Sequence, residues 1–171
     1  MLTAIIQARL NSTRLPNKVL KPIFGKPLLY FLIERIRKIN EIQQIVVATT
    51  NRKNDDDIQN YCKDEDIKCF RGSEEDVLER MYLAAKEFRA DPIMRITADC
   101  PLIDPEVLSN QIKKFDKDKL DYSYLGLSFA EGICADLFTF SVLEEAHHLA
   151  KLKAQREHVT PYFHDNKTKF N

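Results

Sequence analysis

The chain has 171 residues, of which 44% are hydrophobic and 30% are charged, with 26 Lys and Arg residues against 26 Asp and Glu residues. A chain of this length buries roughly 70% of the surface that its unfolded form exposes, so we expect one domain over residues 1–171 whose core needs no disulfide or metal. The balanced charge excludes a general attraction to nucleic acid or anionic lipid. Any site for a polyanion must therefore come from local clustering of charge.

The sequence predicts neither a signal peptide nor a membrane span. No segment reaches the ~18 apolar residues of a membrane span, and the apolar run at residues 1–6 is too short for a signal peptide. Cys62, Cys69, Cys100 and Cys134 form no C-x-x-C pair and have no His at zinc-finger spacing, so we interpret them as reduced thiols. These features predict a cytoplasmic protein whose partners include neither a membrane nor a nucleic acid.

Strand-length apolar runs alternate along the chain with segments of helical periodicity. Capping residues mark three helix starts: Asp104 precedes Pro105, and Ser73 and Ser141 are each followed three residues later by an acid. The alternation predicts an α/β fold with a mainly parallel sheet covered by helices. The predicted strands are residues 2–7, 44–49, 67–70, 92–97, 121–124 and 136–140, and the predicted helices begin at Pro27, Asp55, Ser73, Asp104 and Ser141, with a last one at residues 156–164.

Positive charge is concentrated before residue 34. Residues 1–33 contain five Lys or Arg residues and no acid, a formal charge of +5, whereas the rest of the chain carries −5. Three of these cations lie in the segment ARLNSTRLPNK at residues 8–18, directly after the first predicted strand. This segment has neither P-loop spacing nor the glycines of a dinucleotide-binding turn, so charged side chains must do any binding. Its position at the carboxyl end of a strand favours a triphosphate site, and a solvated basic loop is the alternative.

A candidate carboxylate follows the fourth predicted strand. Asp99 comes two residues after Thr97, between Ala98 and a Cys-Pro turn. Its oxygens are hard ligands of the kind that Mg²⁺ prefers, and Mg²⁺ commonly uses one or two carboxylates together with phosphates and waters. An aspartate that caps a turn is the alternative.

Five blocks in order resemble the cytidylyltransferases that activate acidic sugars, the acylneuraminate and 3-deoxy-manno-octulosonate cytidylyltransferases. The likeness is strongest to the branch of spore coat polysaccharide biosynthesis protein F. The first and fourth blocks are the most specific. The blocks are ARLNSTRLPNK at residues 8–18, VATT at 47–50, RGSEEDVL at 71–78, RITADCPLI at 95–103 and REHVTPY at 156–162.

The resemblance implies a nucleotide-diphospho-sugar transferase fold, glycosyltransferase-A-like, with a mixed sheet flanked by helices. It implies a reaction in which a sugar hydroxyl attacks the α-phosphorus of CTP, pyrophosphate leaves and a CMP-sugar forms for a surface polysaccharide or glycan. CTP and an acidic or other sugar acceptor would be the partners, with Mg²⁺ as cofactor. Such chemistry depends on positioning and on offsetting charge more than on a strong nucleophile.

Residue by residue, the resemblance assigns catalytic roles to Arg9, Lys18 and Asp99, with Asp99 as the Mg²⁺ ligand. A helix cap is the competing explanation for Ser73 and Asp76. The nucleotide-binding set that the resemblance implies is Arg9, Ser12, Arg14, Lys18, Thr49, Arg71, Ser73 and Asp76.

Two departures from the family pattern concern the acceptor and metal sites. EGICAD at residues 131–136 stands where the branch often has DGLDVE, so Cys134 replaces an expected acid. Glu131 and Asp136 become candidates for the acceptor-sugar site, with ordinary strand-edge acids as the alternative. The chain also ends at Asn171 without the Asp-x-x-x-Asp element that supplies a second metal carboxylate in the family. The alternative function is a shortened, catalytically weak relative that binds nucleotide or a partner protein.

Three further possibilities concern other partners and chemistry. A nucleic-acid surface usually presents an extended basic stripe with interleaved aromatics, whereas these cations are concentrated in one segment. A glycosyltransferase of the same fold would use a metal-binding Asp-x-Asp instead of the basic segment. Tyr122, Tyr124, Leu125 and Phe129 would suit the interface of a homodimer.

Overall fold

Residues 1–12, 15–126, 129–130, 132–133 and 135–171 are described in a computed structural model of the chain. The strands are β1 (Thr3–Gln7), β2 (Pro22–Ile23), β3 (Lys26–Pro27), β4 (Gln44–Thr50), β5 (Lys68–Gly72), β6 (Ile93–Thr97), β7 (Tyr122–Tyr124) and β8 (Asp136–Phe138). The helices are α1 (Leu28–Ile36), α2 (Asp56–Asp64), α3 (Val77–Glu87), α4 (Pro105–Asp118), α5 (Phe140–Leu149), α6 (Lys153–His158) and α7 (Pro161–Asp165).

Six of these strands form one mixed sheet in the order β5-β4-β1-β6-β8-β7. Strand β1 is central and runs parallel to β4 and β6, and β5 adds in parallel beside β4. Strands β8 and β7 run antiparallel at the other edge. Gln7 at the end of β1 lies opposite Ala48 and Thr97, so the carboxyl ends of the three central strands meet at one edge. The predicted mixed, mainly parallel sheet is confirmed.

The sheet is covered on both faces because the side chains of its central strands alternate. Ala4 and Ile6 of β1 belong to one buried cluster, which contains the apolar faces of α1, α2 and α4. Ile5 belongs to the other cluster, with residues of α3, α5 and α7 such as Leu78 and Phe163. Strands that are buried on both faces read as continuous apolar runs, which is why β1, β4 and β6 were predictable.

Two predicted helix starts are wrong by a few residues. Helix α3 is capped by Asp76, whose Oδ1 accepts from the Glu79 N–H at 2.9 Å, while Ser73 Oγ accepts from the Asp76 N–H at 3.0 Å. Helix α5 is capped by Thr139 and not by Ser141. In both segments a second side chain with an oxygen acceptor lies within three residues of the predicted cap, so the sequence alone could not choose between them.

The predicted helix at residues 156–164 is wrong as one element. Val159 has a φ of 70°, which ends α6, and Pro161 then occupies the first turn of α7. Proline tolerates that position because its missing N–H has no partner in a first turn.

A short hairpin of β2 and β3 was not predicted and lies between the basic segment and α1. Its turn places Phe24 and Gly25 at positive φ, and the Phe24 side chain is exposed. None of the helices in the described part of the chain is long and apolar enough to cross a membrane.

Candidate active site

A cavity of about 280 Å³ opens at the carboxyl edge of the sheet, between the segments that follow β1 and β6. Arg9, Ser12 and Lys18 of the basic segment line it, and Asp99 lines it from the β6 side. This is the position at which open α/β sheets bind ligands. The structure therefore brings together four of the residues that the sequence singled out. The other lining residues are Gln7, Ala8, Asn11, Val19, Val77, Arg80, Thr97, Ala98, Glu157 and His158.

The basic segment is held against the end of β4 by a buried carboxylate. Asp55 is 2% exposed, and its Oδ1 accepts from the backbone N–H of Leu10 at 2.8 Å. Its Oδ2 accepts from the hydroxyl of Thr50. Asp55 thus fixes the backbone next to Arg9. The sequence prediction placed Asp55 in the first turn of a surface helix and missed this role, because its partner Leu10 lies 45 residues away.

Lys18 and Asp99 form an ion pair across the mouth of the cavity, with Nζ 2.6 Å from Oδ2. Lys18 begins a 3₁₀ turn that is anchored by the buried side chain of Val19. Burial alone would raise the pKa of the Asp99 carboxyl, but hydrogen bonds from Lys18 and Thr97 outweigh it and hold the pKa below its ordinary value. The site therefore contains an ionised carboxylate and a cation that can exchange partners.

Asp99 is placed by the turn after β6. The Ala98 N–H donates to the Gln7 carbonyl at 3.0 Å, which keeps this turn beside the end of β1. Thr97 Oγ1 lies 3.1 Å from Cys100 Sγ, and burial raises the pKa of that thiol, so Cys100 stays protonated and is a poor ligand or nucleophile. Asp99 therefore faces the cavity from this turn and offers carboxylate oxygens as metal ligands.

The donor set fits Mg²⁺ better than a soft metal. No group of three or more His, Cys, Asp or Glu side chains that could hold a metal occurs among the described residues. Asp99 offers one half-exposed, ionised carboxylate beside the cations that would receive a triphosphate. One carboxylate with phosphates and waters is a usual Mg²⁺ environment, so the residues present fit the ion.

Arg80 is a cavity residue that the sequence prediction missed. It lies in α3 and is only 2% exposed, and its guanidinium donates to the Ser73 carbonyl. Burial, together with the nearby charge of Arg9, lowers the pKa of Arg80 to about 10. Its position three residues after Val77 puts it on the buried face of α3, and this spacing was the available signal.

Arg71 lies outside the cavity lining. Its guanidinium donates to the carbonyls of Thr50 and Arg52, to the Asp56 carboxylate at 2.5 Å and to Gln59 at 2.9 Å. These bonds tie β5 to the start of α2. The nucleotide-binding role of Arg71 stays a prediction from the resemblance, and the geometry gives its side chain a structural role.

Thr49, Ser73 and Asp76 also lie outside the lining. Thr49 is fully buried, and its hydroxyl has no hydrogen-bond partner among the described residues.

Asp76 caps α3 and also accepts from Arg156, at 2.9 Å from Nε and 2.5 Å from the terminal nitrogen. The Arg156 pair places α6 beside α3. Helix α6 then presents Glu157 and His158 to the cavity.

Of the two predicted acceptor-sugar acids, the structure describes Asp136. Its Oδ2 lies 2.7 Å from Arg95, and its Oδ1 accepts from the Tyr122 hydroxyl at 3.2 Å. Both oxygens are therefore engaged within the sheet, and Asp136 is not part of the cavity lining. The other acid, Glu131, and the predicted nucleotide-binding Arg14 lie outside the described residues.

Comparison with known proteins gives a consistent family. The profile described as Cytidylyltransferase matches residues 3–171. An uncharacterized protein of Methanocaldococcus jannaschii is 43% identical over 97% of this chain and 68% of that protein. Spore coat polysaccharide biosynthesis protein SpsF of Bacillus subtilis is 36% identical over 95% of this chain and 69% of SpsF.

A solved structure agrees with these relatives. The cytidylyltransferase from Leptospira borgpetersenii superposes with a TM-score of 0.92 at 36% identity, and the match covers 99% of this chain and 73% of that one. Relatives with a shorter match include 3-deoxy-manno-octulosonate cytidylyltransferases, such as that of Geobacter metallireducens, 31% identical over 65% of this chain and 43% of the relative. The resemblance and the fold that the sequence predicted are confirmed. This chain belongs to the cytidylyltransferase family.

Proposed function

We propose that this protein transfers CMP from CTP to a hydroxyl of an acidic or related sugar, with release of pyrophosphate, for the synthesis of a surface polysaccharide or glycan. The observation that carries the proposal is the grouping of Arg9, Ser12, Lys18 and Asp99 around one cavity at the carboxyl edge of the sheet. The names of the family and of the relatives support CTP as donor and a sugar as acceptor.

The cations of the cavity suit a triphosphate. Arg9 and Lys18 are the cations that the basic segment contributes, and Ser12 lies between them along that segment. In the reaction a bond forms between the sugar oxygen and the α-phosphorus, and the bond from that phosphorus to pyrophosphate breaks. Charge builds on the phosphate oxygens as the leaving group separates, so fixed cations close to them accelerate the step.

Lys18 has two partners in this proposal. In the ligand-free protein its ammonium group pairs with Asp99 at 2.6 Å, which keeps both charges satisfied. When the nucleotide binds, Lys18 turns to the phosphates and leaves the Asp99 carboxylate available. The two groups are less than half exposed, so this exchange takes place in a site of lower dielectric than water, where charge interactions are stronger.

Asp99 would hold Mg²⁺ together with the phosphates of the nucleotide. Bound there, the ion would supply charge that offsets the α-phosphate and the leaving pyrophosphate. The lowered pKa of Asp99 keeps the carboxylate ionised at neutral pH without any ion.

The test is release of pyrophosphate by the purified protein. CTP, UTP, GTP and ATP are each offered with MgCl₂ and a panel of acidic sugars that includes 3-deoxy-manno-octulosonate. We expect turnover with CTP and at least one sugar, and no turnover in Asp99→Asn. The exposed acid Asp57 provides the matched control, because Asp57→Asn removes the same charge outside the lining of the cavity and leaves turnover unchanged.

The variant Lys18→Met tests the contribution of the Lys18 charge, whereas Asp99→Asn tests metal binding. Loss of one preorganised donor to a transition state lowers kcat by about 10²- to 10³-fold. We expect Lys18→Met to lose activity in that range while the protein still folds. Equal turnover in wild type, Asp99→Asn and Lys18→Met, or turnover with no preference for CTP, would contradict the proposal.

A further inference from the structure

The cavity contains a buried cation, Arg80, that has no anionic partner among the described residues. Arg80 is 2% exposed, yet no Asp or Glu among the described residues forms an ion pair with its guanidinium. One terminal nitrogen donates to the Ser73 carbonyl, and Nε is buried without any hydrogen-bond partner in the described part of the chain. A buried arginine almost always has a partner, so this arrangement is incomplete.

The surroundings of Arg80 add further positive charge. The nearby guanidinium of Arg9 disfavours the charged form of Arg80, and burial disfavours it even more. Asp55 and Asp76 attract Arg80 from a distance, but their carboxylates are engaged by Leu10, Thr50, Glu79 and Arg156. Asp99 and Glu157 also line the cavity, but no ion pair in the described part of the chain joins Arg9 or Arg80 to a carboxylate, so both guanidinium groups can receive an anion.

We infer that Arg80 and Arg9 form an anion subsite in this cavity and that its ligand is a phosphate group of the nucleotide. The identification of the anion with the nucleotide rests on the proposed function. The subsite itself rests only on the buried, unpaired guanidinium and the cavity it lines. A phosphate carries negative charge on several acceptor oxygens, so it can bridge two arginines and offset the charge of both.

Gly72 makes room for the stem of Arg80. A Cβ at residue 72 would lie 3.0 Å from Cγ of Arg80 and 2.9 Å from the ring of Phe70. Both distances are shorter than ordinary carbon contacts, so Gly72→Ala must displace the Arg80 stem or the ring. This variant therefore crowds the stem of Arg80 without removing its charge.

The experiment titrates inorganic pyrophosphate into the purified protein by calorimetry, in buffer with MgCl₂, and repeats the titration with CTP and with cytidine. The variants are Arg80→Met, Arg80→Lys and Gly72→Ala. Arg37→Met is the control, because Arg37 is an exposed arginine of an exposed pair with Glu34 and its loss changes the net charge equally. Thermal unfolding of each ligand-free variant is recorded alongside.

We expect Arg80→Met to weaken pyrophosphate binding by roughly 10- to 100-fold, the range for loss of a hydrogen bond to a charged group. Arg80→Lys should recover part of the affinity and Gly72→Ala should lose part of it, while Arg37→Met should bind like wild type. The ligand-free Arg80→Met should unfold at the same temperature as wild type or higher, because a desolvated charge has been removed.

Two results would overturn the inference. The first is unchanged pyrophosphate affinity in Arg80→Met, whatever its unfolding temperature; a lowered unfolding temperature would then make Arg80 a structural residue. The second is weaker cytidine binding with unchanged pyrophosphate binding, which would make Arg80 a contact for the base. If wild type binds pyrophosphate through Arg80 but shows no preference for CTP, the subsite stands and the proposed function fails.

Discussion

Asp55 should be the residue on which the geometry of the basic segment depends most. Its carboxylate accepts from the buried N–H of Leu10 at 2.8 Å and from the hydroxyl of Thr50. Asp55→Ala leaves both donors without their partner. Each buried donor left unpaired costs about 1–3 kcal/mol, so mid-range values give a loss of about 4 kcal/mol in the free energy of unfolding. At about 3 °C per kcal/mol for a domain of this size, the unfolding midpoint should fall by about 12 °C.

The assay is thermal unfolding followed by circular dichroism, with Asp57→Ala as the matched control two residues along the chain. Asp57 is exposed in the first turn of α2, so its loss costs only about 0.3–1 kcal/mol of interaction with the helix dipole. The control midpoint should therefore fall by no more than about 3 °C. Equal midpoints for the two variants would refute the reasoning, because they would mean that the Leu10 and Thr50 contacts do not hold the segment.

Three further predictions concern the neighbours of the cavity. Arg156→Met removes two partly exposed hydrogen bonds from the guanidinium to one oxygen of Asp76, and we expect a loss of about 2 kcal/mol in thermal unfolding, reduced by Asp76→Asn in a double-mutant cycle. Asp104→Ala removes the cap of α4 and should cost about 1 kcal/mol; no measurable loss would contradict that cap. The pKa of Asp99 is lowered, so the stability from its ionised form is present above its ordinary value of 3.8 and is lost as the pH falls through the lowered pKa. A carbon-13 NMR titration of the Asp99 carboxyl should give a midpoint below 3.8 in the wild type. The midpoint should be higher in Lys18→Met, where burial acts without the Lys18 hydrogen bond. Equal midpoints in the two proteins would contradict the assigned cause.

The sequence was sufficient for the layout of the sheet because buried parallel strands leave a clear signal. Residues of β1, β4 and β6 form short apolar runs bounded by polar loops, and each predicted strand lies within two residues of the observed one at both ends. Helix starts were less secure because Ser73 and Asp76 compete as caps. Pro161 signals a break, but the predicted helix at residues 156–164 ran through it, whereas α6 ends before Val159, which has a positive φ.

Half of the candidate site was predictable and half depended on distant contacts. Arg9 and Asp99 each lie two residues after the end of a strand, and Lys18 lies in the segment that follows β1, so their meeting at one sheet edge could be expected from topology. Asp55 lies at a helix start, which is ordinarily interpreted as a solvated position. Arg80 lies on a helix face, which is ordinarily interpreted as structural. Their roles arise from tertiary contacts with residues far along the chain, which a single sequence does not encode locally.

The central claim is that this cavity binds CTP, and thermal unfolding with nucleotides tests it most directly. The wild-type protein is heated with CTP, UTP, GTP or ATP, each with and without MgCl₂. A ligand at about 100 times its dissociation constant adds about 2.7 kcal/mol, which raises the midpoint by about 8 °C in a domain of this size. We expect that shift with CTP and Mg²⁺ and a smaller one with the other nucleotides. An unchanged midpoint with every nucleotide, or equal shifts with all four, would contradict it.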